Sequence, residues 1–189
     1  ELAPLIFTAD PAKALADFRS GSWQDPGMTM LGSQQEYWLD HAMRASVKGG
    51  TKWQVVGFGT IMGDTYTPLD AASWLAPDAQ PRAKAYLAAG IAATKAGLPF
   101  NLDSWGGYPA ARKRFLKSAQ GMGANLVVIS GDSHNGWAYD LAQDGKPAGV
   151  EFAGHSVTSP GFESALGTDP KLVAKALVAQ NPELKWCDT

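Results

Sequence analysis

The chain has 189 residues, 45% of them apolar, and a formal charge of −2, enough for one sizeable core and room for one domain of ordinary size. Its interspersed charges leave no basic face for nucleic acid and no polybasic membrane patch, so the expected partner is a small molecule or a protein. No apolar run approaches membrane-spanning length, and a single cysteine, Cys187, excludes an internal disulfide and reads as an inert thiol.

The sequence opens at Glu1 with no methionine and no charged-then-apolar leader, as expected if processing or a chosen boundary removed whatever preceded it. Residues 2–32 read as irregular, apart from a short helix over Asp10 to Phe18. Asp10 is its predicted N-cap, Pro11 takes the first helical position, and Ala14, Leu15 and Phe18 share one side. Ser33-Gln34-Gln35-Glu36 has the form of a capping box, in which each side chain satisfies the other residue's free backbone N–H. The helix it opens is predicted to reach about Ser46, with Trp38, Leu39, Ala42 and Met43 on its apolar side and His41 beside them in a structural role.

Trp53 to Gly57 reads as the next strand. Gly57-Phe58-Gly59-Thr60-Ile61-Met62-Gly63 reads as a loop whose glycines bring backbone close to an active site. A dinucleotide fingerprint fails there, because the third glycine is one position late and no helical pattern begins among the glycines. An alanine-rich helix from about Pro81 to Ala96, stopped by Gly97 and Pro99, is scaffold. In Phe100 to Tyr108 a short apolar run leads into Asp103, Trp105, two glycines and Tyr108. Asp103 is either a metal ligand or the cap of a turn, and the aromatics either wall a pocket or belong to the core. Pro109 opens a helix to about Gln120 that would aim positive dipole at such a pocket, with Arg112 and Arg114 in its early turns, turned toward the pocket or toward solvent.

Leu126-Val127-Val128-Ile129 has the composition of a strand buried on both faces, and it halts at Ser130-Gly131-Asp132-Ser133-His134-Asn135. Asp132 and His134 are two apart, and the kink that Gly131 permits lets them converge on one point. A converging carboxylate and imidazole suit a metal site or general acid/base work; a turn aspartate beside a loop histidine is the plainer alternative. Trp137 to Ala142 alternates as a strand, Gln143 to Pro147 makes a hairpin turn, and Val150 to Gly161 returns, so the sheet should be mixed. Ser156, Thr158 and Ser159 either line a phosphate or metal pocket or serve as turn residues, with His155 alternating beside them. Asp169 and Pro170 open a last helix through Ala179, and Glu183 to Cys187 looks like a strand only just begun. No Gly-x-Ser-x-Gly elbow occurs, which argues against a serine hydrolase, and the placement of Cys187 in a strand argues against a cysteine one.

Four blocks together resemble the PhoD-like alkaline phosphatases of the metallophosphoesterase superfamily: Thr29-Met30-Leu31-Gly32-x-x-Gln35-x-x-Trp38-Leu39; Asn101-Leu102-Asp103-Ser104-Trp105-Gly106-Gly107-Tyr108-Pro109-Ala110-x-Arg112; Ser130-Gly131-Asp132-Ser133-His134; and Glu151-Phe152 with Ser156-Val157-Thr158-Ser159-Pro160-Gly161. The resemblance implies an α/β fold, part of an α/β/β/α sandwich with a mixed sheet. It also implies a secreted or periplasmic enzyme that hydrolyses phosphate mono- or diesters with metal ions, iron and calcium in the family and other transition metals in the wider superfamily. By this likeness Asp132 and His134 are catalytic and metal-binding, Asp103 is a further ligand, and Tyr108 and Arg112 bind substrate. Two departures stand out. Gly106 occupies a position that is acidic in many relatives, and Gly57-Phe58-Gly59-Thr60 stands where relatives often carry glutamines. The family's earlier metal-binding blocks are absent, so residues 1–189 are expected to be the C-terminal part of a single catalytic domain, truncated at both ends, whose partner is the missing N-terminal half. Alone it should bind metal poorly and hydrolyse little; a silent binding or assembly module on the same scaffold is the competing expectation.

Overall fold

The computed structural model describes residues 3–6 and 8–188; the irregular reading of Leu2 and Phe7 lies outside them. A short helix α1 (Ala3–Ile6), in a stretch read as irregular, precedes α2 (Pro11–Ser20). The Asp10 side chain accepts from the Lys13 N–H at 3.0 Å, so the predicted cap holds. Helix α3 (Ser33–Lys48) begins without the capping box, because Gly32 is the N-cap and Ser33 is already helical. The Glu36 carboxylate turns instead to the Thr29 hydroxyl and to Arg114, which also donates to the carbonyls of Pro26 and Met28. A guanidinium fork offers charge-assisted bonds stronger than the single N–H a capping box would supply.

The remaining elements are β1 (Gln54–Gly57), α4 (Pro81–Lys95), α5 (Pro109–Met122), β2 (Leu126–Ser130), β3 (Gly136–Gln143), β4 (Lys146–Ala153), α6 (Pro170–Gln180) and β5 (Leu184–Asp188). Gly123 closes α5 in the left-handed conformation, and Asp144-Gly145, both at positive φ, make the tight turn between β3 and β4. The five strands form one mixed sheet ordered β1-β2-β4-β3-β5, parallel from β1 through β4 and antiparallel at β3 and β5.

Helices α3, α5 and α6 cover one face. Leu126, Val128, Tyr139, Leu141, Leu184 and Cys187 are buried there. Burial also pushes the Cys187 thiol up to about 11, in keeping with an inert role. The other face is open. In register across it run Gly57, Ile129, Phe152, Ala138 and Trp186, and the row beside it joins Val55, Val127 and Val150. Val55, Ile129, Phe152 and Trp186 are each more than half exposed. The expectation that β2 is buried on both faces is therefore corrected: its composition suits two covered faces, and the described residues cover one. Trp38 departs in the same way. At 67% exposed it turns away from the core that holds Leu39 and Met43, and it lines an open groove of about 540 Å³ with Trp53 and Val55.

Candidate functional site

Where β2 ends, the chain turns through Gly131 to Asn135. Asp132 (φ 68°) and His134 (φ 64°) both lie in the left-handed region, and the only other such non-glycine residue among those described is Asp144 in its hairpin. Each L residue held there costs roughly 1–2 kcal/mol, so surrounding bonds must enforce the shape. They are on hand. The Ser133 hydroxyl donates to the Asn135 carbonyl at 3.0 Å and accepts from the Trp137 indole at 2.8 Å. The buried Asn135 amide donates to Glu163 at 3.0 Å and accepts from the Phe162 N–H, while the Ser156 N–H donates to the His134 carbonyl.

His134 is exposed, and its Nδ1 lies 3.0 Å from the Pro160 carbonyl oxygen. A carbonyl only accepts, so Nδ1 carries the proton and the neutral ring presents the Nε2 lone pair outward. Asp132 is also exposed, and its carboxylate makes no hydrogen bond or ion pair among the described residues. A turn-capping aspartate would accept a nearby N–H, so the plainer reading of this residue does not describe it.

Asp103 projects from the loop between α4 and α5. Its backbone N–H donates to Asn101 Oδ1 at 2.9 Å, and its exposed carboxylate likewise has no partner among the described residues. Tyr86 on α4 packs on the Asp103 segment: its ring meets that of Phe100 edge-on at 4.6 Å, and its phenol is raised by desolvation and then, beyond the opposing charge of Arg82, by the charge of Asp132. Trp105 is core, 1% exposed and packed edge-on against Phe58 at 4.8 Å. Tyr108 is half-buried, and its carbonyl accepts the Arg112 N–H at the start of α5. Arg112, expected to reach substrate, is buried and committed elsewhere: Nε donates to the Met62 carbonyl at 2.9 Å and the fork reaches Glu183 at 2.6 Å. Ser156 accepts from the Ser159 N–H at 2.9 Å, which is turn chemistry, and His155 pairs with Asp188 at 3.4 Å.

Three acidic groups escaped the sequence reading because nothing local marks them. Glu163 lies beside His134; burial pushes its carboxyl up, but bonds from Asn135, its own N–H and Gly161, with the nearby imidazole, leave it lowered. Asp64 has a buried Oδ1 with no partner among the described residues, and burial raises its pKa against the pull of Arg112. That oxygen faces Gly106, where a Cβ would stand 3.0 Å from it, so any side chain at 106 would crowd Asp64. Glu183, bonded to Arg112, is likewise raised by burial.

The structure thus sets Asp132 and His134 on one rigid turn and leaves Asp103 on a neighbouring loop. Carboxylate oxygens and an outward Nε2 are the right donors for a metal ion. Among the described residues, however, no three His, Cys, Asp or Glu side chains gather closely enough to hold one. The donor types fit; the number falls short.

A mixed α/β sheet with an acid and an imidazole at the end of a parallel strand defines the class: an α/β protein with a candidate site where such folds place one, at the strand ends. Residues 8–189 match the family model described as PhoD-like phosphatase, and the chain belongs to that family. It is 28% identical over 169 residues to alkaline phosphatase D of Bacillus subtilis (strain 168), an alignment covering 86% of this chain and 24% of that protein. A solved structure described as "Structure of PhoD" superposes with a TM-score of 0.61 at 25% identity, covering 88% of this chain and 27% of that one. The chain therefore spans about a quarter of the length of these relatives.

Proposed function

We propose that these residues form part of a metal-dependent phosphoesterase that hydrolyses phosphate mono- or diesters, with Asp132 and His134 as metal ligands and Asp103 as a further carboxylate. The observation that carries this reading is the pair of left-handed residues at the end of β2, fixed by a web of bonds that leaves the Asp132 carboxylate and His134 Nε2 unspent. Hard carboxylate oxygens suit calcium, and the imidazole suits iron or another transition ion. When bound, such cations polarise phosphoryl oxygens and lower the pKa of water at the site. The chain's own part is to hold the donors: Pro160 fixes the ring, Asn135 and Glu163 anchor the turn, and Arg112 braces Met62. Family membership supports phosphoester hydrolysis, and a secreted or periplasmic location belongs to the same reading.

The remaining donors come, in this reading, from polypeptide outside residues 1–189, with the present residues as the C-terminal part of one catalytic domain. Two features support it: the described residues gather too few ligands, and the relatives are more than three times as long. The same polypeptide supplies a second β-layer for the open sheet face, since an apolar row running across all five strands is the pattern of a buried sheet-on-sheet contact. The test is substitution of Asp132 and His134 by alanine in the complete protein, with metal content and hydrolysis of a generic phosphate ester measured together. Loss of both is expected; unchanged values reject the assignment.

A further inference from the structure

We propose that Glu151 is the positioning residue of this site, a buried carboxylate that sets the Asp132 turn and the Asp103 loop relative to each other. The proposal rests on the site assigned above. Glu151 lies on β4, in register with Val128, and is 0% exposed. Its Oε1 accepts from the Met62 N–H and from the Ser130 hydroxyl, and its Oε2 accepts from the Gly63 N–H, each at 2.7 Å. One end of this junction is therefore the last residue of β2, two before Asp132. The other is the loop after β1, whose own carbonyls face the second segment: Ile61 O accepts the Trp105 N–H at 3.3 Å, and Met62 O accepts Arg112 Nε at 2.9 Å. Trp105 is two residues after Asp103. The sheet already pairs β1 with β2 and β2 with β4; the Glu151 side chain adds the side-chain tie that bonds the loop after β1 and the end of β2 to one carboxylate.

Stability alone does not explain a carboxylate at this place. Removing an ionised group from water is costly even when it is well paired, and a packed apolar side chain stabilises a core at least as well. Three converging donors instead fix the distance between the elements they belong to, because hydrogen bonds weaken steeply when stretched or bent. The neighbourhood leaves no slack. Gly63 lies so close to the Tyr139 ring that a Cβ would overlap it, so the loop has one seat on the sheet.

Two variants and two readouts test the proposal. Hydrogen exchange on this chain follows the amides of Gly63, Trp105 and Ser156, which donate to Glu151, Ile61 and His134, with Ala124 at the end of α5 as reference. In Glu151→Gln an NH2 group confronts a backbone N–H, and all three amides are expected to exchange at least about tenfold faster relative to Ala124. Ser130→Ala removes only the bond to the β2 end and should release Ser156 while Gly63 stays protected; Ser130→Thr restores the hydroxyl and the protection. Loss of protection in equal measure at Ala124, or none at Ser156 in Ser130→Ala, overturns the proposal. In the complete metalloprotein the same Glu151→Gln change is expected to weaken metal binding by about 10–100-fold, and Ser130→Thr to bind more tightly than Ser130→Ala. An unchanged metal affinity in a variant that only unfolds more easily means a structural role and rejects positioning. Should the unsubstituted protein bind no metal, the site assignment fails, while the exchange data still decide the role of Glu151.

Discussion

The imidazole of His134 donates through Nδ1 to the carbonyl of Pro160, 26 residues further along the chain, at 3.0 Å. That bond selects the tautomer with a lone pair on Nε2 and points it away from the strand. In nitrogen-detected NMR of the neutral ring, the proton is expected on Nδ1. A majority of the Nε2–H form would mean that Pro160 does not orient the ring.

Asp132 holds a left-handed conformation without any partner for its side chain among the described residues. Glycine adopts that conformation freely, though it adds entropy to the unfolded chain. Asp132→Gly is therefore expected to leave unfolding free energy unchanged or to raise it by up to about 1 kcal/mol, while metal-dependent hydrolysis by the complete enzyme falls by at least about 100-fold. Denaturant unfolding checks the first expectation and initial rates the second. A loss of stability greater than the quoted gain would show that the carboxylate supports the fold.

Burial raises the carboxyls of Asp64, Glu151 and Glu183 above their ordinary values, against the opposing pull of Arg112 and, for Glu151 and Glu183, of their hydrogen bonds. For groups raised in the folded state, stability is fully present below the unfolded value near 4 and is lost as pH rises through the folded values. Unfolding free energy should accordingly decline from mildly acid pH toward neutrality. Asp64→Asn removes a charge whose Oδ1 has no partner among the described residues, so the decline should flatten, with a gain of about 1 kcal/mol at pH 7. Denaturant titrations across this range decide it, and a steeper decline in the variant would refute the account.

Ile129 and Phe152 stand side by side on the open sheet face, both more than half exposed. Ile129→Lys and Phe152→Lys are expected to change the stability of this chain by less than about 0.5 kcal/mol. They should abolish phosphatase activity recovered by co-expression with the rest of a full-length relative. Recovery of full activity by both variants would mean that nothing packs on this face.

Local sequence determined much of this protein. Asp10-Pro11 and Asp169-Pro170 start helices and Asp144-Gly145 turns a hairpin, whereas the turn after β2 takes its left-handed positions at Asp132 and His134 and not at Gly131, where the sequence placed the kink. Each of the first three signals acts within a few residues, through φ preference or a nearby cap, so composition alone reveals it. The motif blocks also carried the family, which the match over residues 8–189 bears out.

Tertiary structure decided the rest. Ser33 to Glu36 reads as a capping box until Arg114, 78 residues away, claims the carboxylate. Arg112 reads as a surface or substrate-facing cation until Met62 and Glu183 enclose it, and Glu151 reads as an ordinary strand residue until Met62, 89 positions earlier, places an N–H against it. Whether β2 has one covered face or two depends on what stacks against the sheet, a property of the assembled layers. Period-two and 3.6-residue patterns say which side of an element is apolar; the partner that meets that side, or that meets a buried charge, is fixed only when distant segments pack and the cost of an unsatisfied group selects among them.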